Sequence, residues 1–329
     1  MKMLSVSDCY RSLHHGLIPA VPVPFGTSGE IAQSAQEQYI AYMAGQPIAG
    51  VAVWAHTGRG LLLTEQQRIQ VLHSWRDGLP SDKILIAGVG CNRQSTAVVT
   101  DALDSALRMA TTAIENGAQA LLAYPPTHLR NSINLDALAL EYHQELASLG
   151  APVILFYLYE AAGGISYSVE LLRRLFALPQ VVGIKFATLD SVMTFQDVAS
   201  VIRRDFPDKL LITGEDRFLG YSLMCGAQSC LIGMGSACTQ LQRDLMDAHF
   251  QGRAADFLKL SRLVDDLGQS LFVAPMEGYI RRVLLALVSE GVVGLESTYD
   301  PWGPELRPSE FSEIEKVVRQ VNQFESIGK

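Results

Sequence analysis

The chain has 329 residues, 48% of them hydrophobic and 18% charged, a balance that suits a globular protein with a sizeable core. Its length fits two ordinary domains, or one α/β barrel of about 250 residues with a helical extension. The formal net charge is −8 and no basic run occurs. That argues against nucleic-acid binding and leaves room for an anionic substrate held by local donors.

No apolar run reaches the roughly 18 residues of a membrane span, and the candidate at residues 153–159 stops at Glu160. Near the start, Ser5, Ser7, Asp8, Arg11 and Ser12 interrupt any apolar signal-peptide core. The five cysteines (Cys9, Cys91, Cys225, Cys230 and Cys238) are odd in number and lack C-x-x-C spacing. A disulfide scaffold and a thiolate zinc site are therefore not expected. The chain reads as cytoplasmic, with most cysteines serving as small core residues.

Eight short apolar runs follow one another along the chain, at residues 17–23, 50–55, 84–89, 118–124, 152–158, 181–187, 210–213 and 229–233. Most are continuously apolar rather than alternating, as expected of parallel strands covered on both faces. The stretches between them have helical periodicity. Thr64 and Gln67 make a capping-box pattern before Ile69, Val71 and Leu72. Leu103 and Leu107, then Leu138, Tyr142, Leu146 and Leu149, recur at helical spacing. Such helices supply the crossovers that parallel strands need.

The expected fold class is therefore α/β, a (β/α)8 TIM barrel with a C-terminal helical extension. A doubly wound open sheet is the alternative, but it usually opens with a glycine-rich dinucleotide fingerprint. Here the first strand runs into Pro22-Val23-Pro24-Phe25. The strand signal vanishes after about residue 237, and helices are expected at 241–251, 254–271, 277–289 and 309–323. This divides the chain into a catalytic barrel, 1–237, and a C-terminal helical region, 238–329.

Barrel chemistry sits at the C-terminal ends of the strands, and four places there carry polar residues. Lys185 lies in the otherwise apolar Val182-Gly183-Ile184-Lys185-Phe186-Ala187. Burial would lower its pKa and free a neutral amine to attack a ketone. A structural lysine paired with a carboxylate is the alternative. Tyr157 ends strand five and is either a proton relay or a core tyrosine with a backbone partner. Ala55-His56-Thr57-Gly58-Arg59-Gly60 follows strand two and is either an anion-binding turn or an ordinary one. No second histidine lies at metal-ligand spacing from His56, so no metal site is expected. Gly214-Glu215-Asp216 follows strand seven; two acids there could be a general base or a cation site, and the favoured reading is a cap on the next helix.

Together these places resemble the dihydrodipicolinate synthase / N-acetylneuraminate lyase family over about residues 16–295. The family carries G-T-T-G-E or G-S-T-G-E after strand two, Y-N-x-P-x-R-x-G at the end of strand five and G-[IV]-K in strand six. The matching segments here are Ala55-His56-Thr57-Gly58-Arg59, the run from Tyr157 to Gly164, and Gly183-Ile184-Lys185. Tyr157 and Lys185 stand 28 positions apart, an interval that looks like the family's own. The Ile232-Gly233 pair after Leu231 resembles the family's I-S-G segment.

The resemblance implies a lyase in which Lys185 forms a Schiff base with pyruvate or a related 2-keto acid. Tyr157 would shuttle protons. Thr57, with backbone near His56 and Gly58, would hold the carboxylate, and Leu231 would lie at the substrate. The iminium would then drive aldol-type C–C cleavage or condensation with an aldehyde, or dehydration. No cofactor is implied, and a homodimer or homotetramer is.

Several positions depart from the family pattern. His56 stands at a relay threonine, and Thr127 stands where a synthase has its second relay tyrosine. His56 and Thr127 are the candidates for a replacement relay, since a histidine suits proton transfer near neutrality. Arg59 replaces a glutamate, Phe186 replaces an acid, and Ala162 stands where synthases keep an arginine for the second substrate. The chain is thus not expected to be a true dihydrodipicolinate synthase. A non-catalytic keto-acid-binding or regulatory relative with the same barrel is the alternative from another class.

Overall fold

The computed structural model describes residues 3–91, 99–189 and 191–327. The apolar runs form eight strands: β1 (Leu17–Pro19), β2 (Gly50–Val53), β3 (Ile84–Val89), β4 (Ala120–Ala123), β5 (Val153–Leu158), β6 (Val181–Ala187), β7 (Leu210–Thr213) and β8 (Ser229–Ile232). All pair in parallel, in the order β1-β8-β7-β6-β5-β4-β3-β2. A bridge between Ala20 and Ala52 joins the two ends, with Val21 N–H donating to the Ala52 carbonyl at 3.1 Å. The result is a TIM barrel. Every strand residue is buried, which is why the runs read as continuously apolar.

Among the described residues twelve α-helices accompany the strands. They are α1 (Val6–Leu13), α2 (Gln33–Ala44), α3 (Glu65–Gly78), α4 (Val99–Glu115), α5 (Leu135–Ser148), α6 (Val169–Phe176), α7 (Val192–Asp205), α8 (Leu219–Met224), α9 (Thr239–Phe250), α10 (Ala254–Leu271), α11 (Tyr279–Ser289) and α12 (Glu310–Ile327). The Thr64–Gln67 capping box opens α3 in both directions. Ser5, Ser168 and Ser191 accept from the third residue beyond them at the starts of α1, α6 and α7. Among the described residues no helix is long and apolar enough to cross a membrane.

The first strand is shorter than its apolar run. It ends at Pro19, and Pro22 and Pro24 have no N–H to give a ladder. Residues from Val21 to Phe25 stay buried all the same. At the other end of the chain, Phe272, Tyr279, Ile280, Val283 and Val318 belong to the same hydrophobic core as the strands.

Candidate active site

β6 buries all seven of its residues, including Lys185, which is only 5% exposed. Its side chain lines a cavity of about 420 Å³ at the C-terminal end of the barrel. The polar wall comprises His56, Thr57, Tyr159, Lys185, Asp216, Glu277 and Tyr279. The apolar wall includes Phe156, Leu158, Ala162, Leu189, Phe272 and Met276. Burial lowers the Lys185 pKa, opposed by the charges of Asp216 and then Glu215. Among the described residues its Nζ has no carboxylate within ion-pair distance, and it lies 4.4 Å from the centre of the Phe156 ring. Gly214 makes room for the lysine stem, since a Cβ there would come within 2.8 Å of Lys185 Cε.

Strand register decides which β5 side chain faces the lysine. Lys185 pairs with Phe156, and Phe186 pairs with Tyr157. Paired residues on neighbouring strands share a face, and successive residues alternate. Tyr157 therefore shares Phe186's face, and its ring stacks on that ring at 4.3 Å and meets Tyr167 edge-on at 6.0 Å. It is not among the cavity-lining residues. The 28-residue interval implies a place for Tyr157 beside Lys185, and the ring contacts described for it run to Phe186 and Tyr167. The β5–β6 register shifts between Val153 and Ile154, and a one-residue shift exchanges the two faces of a strand.

The turn after β2 delivers two of its expected residues. His56 and Thr57 line the cavity on a short 3-10 turn, His56–Gly58. Thr57 Oγ1 lies 3.0 Å from the Tyr279 hydroxyl, and the Tyr279 ring is near-parallel to His56 at 6.3 Å and stacks on Phe272 at 4.6 Å. Gly58 is a framework residue, because its N–H donates to the Ala55 carbonyl at 2.9 Å. Leu231 is fully buried within β8, and Gly233 is the residue from that segment that reaches the cavity. Thr127 lies in the turn after β4 and is not brought to the cavity.

The acids after β7 are not a helix cap, contrary to expectation. α8 is preceded by Phe218 and has no side-chain cap. Glu215 instead accepts from Thr188 N–H at 2.6 Å, Thr188 Oγ1 at 2.9 Å and Leu189 N–H at 2.8 Å, fixing the loop after β6. Asp216 Oδ1 accepts from Met234 N–H at 2.7 Å, and the residue lines the cavity. Burial raises its pKa, while backbone N–H groups and Lys185 pull it down.

Two further residues, Glu277 and Asp300, come from far along the chain and meet Arg59. Arg59, in left-handed backbone at φ 53°, closes the β2 turn. Its guanidinium bridges Glu277 at 2.5 Å and Asp300 at 2.7 Å. Glu277 also meets His56 Nε2 at 2.9 Å. Burial opposes ionisation of Glu277, but His56 and Arg59 outweigh it and hold the carboxyl at about 2. The glutamate lost from the β2 motif thus has its charge partner inverted: arginine there, acids in the tail. A charge at Arg59 was the one visible signal for this cluster, because a buried arginine needs carboxylates.

A nearly closed barrel of parallel strands, with an amine buried at the C-terminal ends, defines a class I lyase of the Schiff-base aldolase superfamily. The model of the dihydrodipicolinate synthetase family matches residues 13–320, and the chain belongs to that family. It is 24% identical over 272 residues to the 4-hydroxy-tetrahydrodipicolinate synthase of Lactobacillus acidophilus, covering 82% of each chain. It is 22% identical over 289 residues to N-acetylneuraminate lyase 2 of Escherichia coli O6:H1, covering 88% of each. Among solved structures, the prophage protein YagE of E. coli K12, in complex with pyruvate, superposes with a TM-score of 0.79 at 19% identity. That match covers 93% of this chain and 98% of YagE.

Proposed function

We propose that this lyase forms a Schiff base between Lys185 and pyruvate or a close 2-keto acid, and makes or breaks a C–C bond to an aldehyde without a carboxylate. The observation that carries the first half is the Lys185 amine, buried in a cavity and, among the described residues, engaged by no carboxylate at contact distance. The solved relative YagE holds pyruvate. Thr57 is the proposed contact for the keto-acid carboxylate, and His56, held by Glu277, is proposed to face the aldehyde oxygen.

The cavity wall supports the second half. Leu158, Ala162, Leu189, Phe272 and Met276 give the cavity an apolar surface. The nearby guanidinium of Arg59 is already shared between two carboxylates. An anionic aldehyde would meet the ionised Glu277 at the mouth with no unengaged arginine to receive it. On this reading the enzyme is not a dihydrodipicolinate synthase. The proposal includes a cytoplasmic setting and an assembly of two or four copies. The first rests on five cysteines that form no disulfide and the second on the family resemblance.

The test is an aldehyde panel with pyruvate, read as C–C product by mass spectrometry. Benzaldehyde or isovaleraldehyde should be condensed at least about tenfold more efficiently than aspartate semialdehyde, about 1.4 kcal/mol of discrimination. Efficient turnover of aspartate semialdehyde would refute the second half.

A further inference from the structure

We infer that Glu277 is a positioning residue for His56: it holds the imidazole with its proton on Nε2 and its lone pair on Nδ1, so that Nδ1 accepts a hydrogen bond from the hydroxyl that the aldehyde oxygen becomes. This rests on the reading above, in which Lys185 carries the keto acid and His56 faces the aldehyde oxygen. It adds to the proton shuttle that the family resemblance implies for Tyr157 and does not replace it. Glu277 Oε1 lies 2.9 Å from His56 Nε2, and Glu277 Oε2 accepts from Arg59 at 2.5 Å. Each carboxylate oxygen has its own partner, so the group cannot turn without breaking a charge-assisted contact. Both His56 and Glu277 line the cavity that holds Lys185.

The tautomer follows from which partner can donate. Burial opposes the charge on Glu277, but His56 and Arg59 outweigh burial and keep the carboxyl ionised. An ionised carboxylate only accepts, so the hydrogen between it and the ring belongs to Nε2. In a neutral imidazole that leaves the lone pair on Nδ1. A histidine at this place without such a partner would divide between its two tautomers, and one of them offers the substrate hydroxyl the wrong nitrogen.

The clamp is itself anchored on both sides. Asp300 takes Arg59 through both carboxylate oxygens, at 2.7 and 3.3 Å, which fixes the guanidinium that holds Glu277. The loop that carries Glu277 is tied down by Arg282, a fully buried side chain. Its Nη1 donates to the Val273 carbonyl at 2.7 Å and the Pro275 carbonyl at 3.2 Å, and its Nε meets Glu310 of α12 at 2.5 Å. On the face of the imidazole, the near-parallel Tyr279 ring stands at 6.3 Å and is backed by Phe272 at 4.6 Å. A side chain held at one edge, near a stacked ring, by supports that are themselves buried is what orienting a substrate oxygen requires.

The test has two readouts. Solid-state nitrogen NMR of histidine-labelled protein, at about pH 9 and so well above the ordinary histidine range, shows which ring nitrogen carries the proton. His56 is assigned by the signal lost in His56→Gln. The expected result is Nε2–H in the wild type and a mixture of tautomers in Glu277→Gln. In the condensation of pyruvate with benzaldehyde, Glu277→Gln should lower kcat by about tenfold or more, while borohydride still traps pyruvate on Lys185 at the wild-type rate. Glu277→Asp should restore part of kcat and the single tautomer with it. An Nδ1–H ring in the wild type overturns the inference alone, and needs no variant to fold. So does a Glu277→Gln kcat within about threefold of wild type, a band set well inside the usual cost of misorientation. A wild-type protein that traps no keto acid, or condenses no aldehyde, overturns the reading above and this inference with it.

Discussion

The Lys185 ammonium nitrogen sits 4.4 Å from the centre of the Phe156 ring. An aromatic face stabilises the cation modestly and offers it no hydrogen bond, so among the described residues the amine has no carboxylate at contact distance, while Asp216 and then Glu215 act on it through their charge. The arrangement costs stability, because a buried charge lacks close compensation. Lys185→Met should therefore abolish Schiff-base formation while melting at the same temperature as wild type or higher. Activity and thermal melts on the same preparation check both arms. A large fall in melting temperature would mean the lysine is a structural ion-pair residue.

Gly214 is where the barrel gives space to the lysine. A methyl group there would meet Lys185 Cε at 2.8 Å and the Ala187 Cβ at 3.0 Å. Gly214→Ala should slow imine trapping by at least about tenfold, since sub-ångström misplacement of a reacting group is costly. Single-turnover trapping rates measure this, and an unchanged rate would show that the stem moves aside freely.

Arg59 couples the β2 turn to the C-terminal segment through Asp300. Both side chains are buried, at 6% and 3% exposure. Removing the guanidinium by Arg59→Ala strands a buried carboxylate, at a cost of about 3–5 kcal/mol. Denaturant unfolding reads that loss directly. Arg59→Ala with Asp300→Ala should recover part of it, because the stranded charge is then gone.

His143 sets an acid limit on stability. It is fully buried in α5, its Nδ1–H donates to the Ala139 carbonyl at 2.7 Å, and among the described residues its Nε2 has no hydrogen-bond partner. Burial pushes its pKa from 6.5 down to about 4. The folded value lies below the unfolded one, so the stability is full above about pH 6.5 and drains away as pH falls toward about 4. The loss amounts to about 3 kcal/mol. His143→Leu should flatten unfolding free energy across that window. A slope that survives the substitution would place the acid sensitivity elsewhere.

The barrel was legible because each strand is buried on both faces, and 84–89, 181–187 and 210–213 match β3, β6 and β7 residue for residue. Lys185 was legible for the same reason: a charge in a wholly apolar run stands out. The β5 side chain beside it was not. Counting 28 positions selects Tyr157, and the pairing of Phe156 with Lys185 rests on the register shift near Val153, which no local pattern shows. The placement of Glu215 and Asp216 was hidden because two acids before a helix usually serve its N-terminus. Here their partners are the N–H groups of Thr188, Leu189 and Met234, on other strands' loops. Glu277, Tyr279 and Asp300 reach the β2 turn across more than 200 positions. No local pattern encodes such contacts, and the expected boundary at residue 237 falls between the two halves of the cavity wall.

The most direct test is to incubate the protein with pyruvate, reduce with borohydride, and follow intact mass by peptide mapping. Borohydride converts an imine to a stable secondary amine. The account predicts one pyruvate-sized adduct per chain, on Lys185, absent from Lys185→Met. No adduct with pyruvate or across a panel of 2-keto acids would contradict it, and would favour a keto-acid-binding relative that kept the barrel without the chemistry.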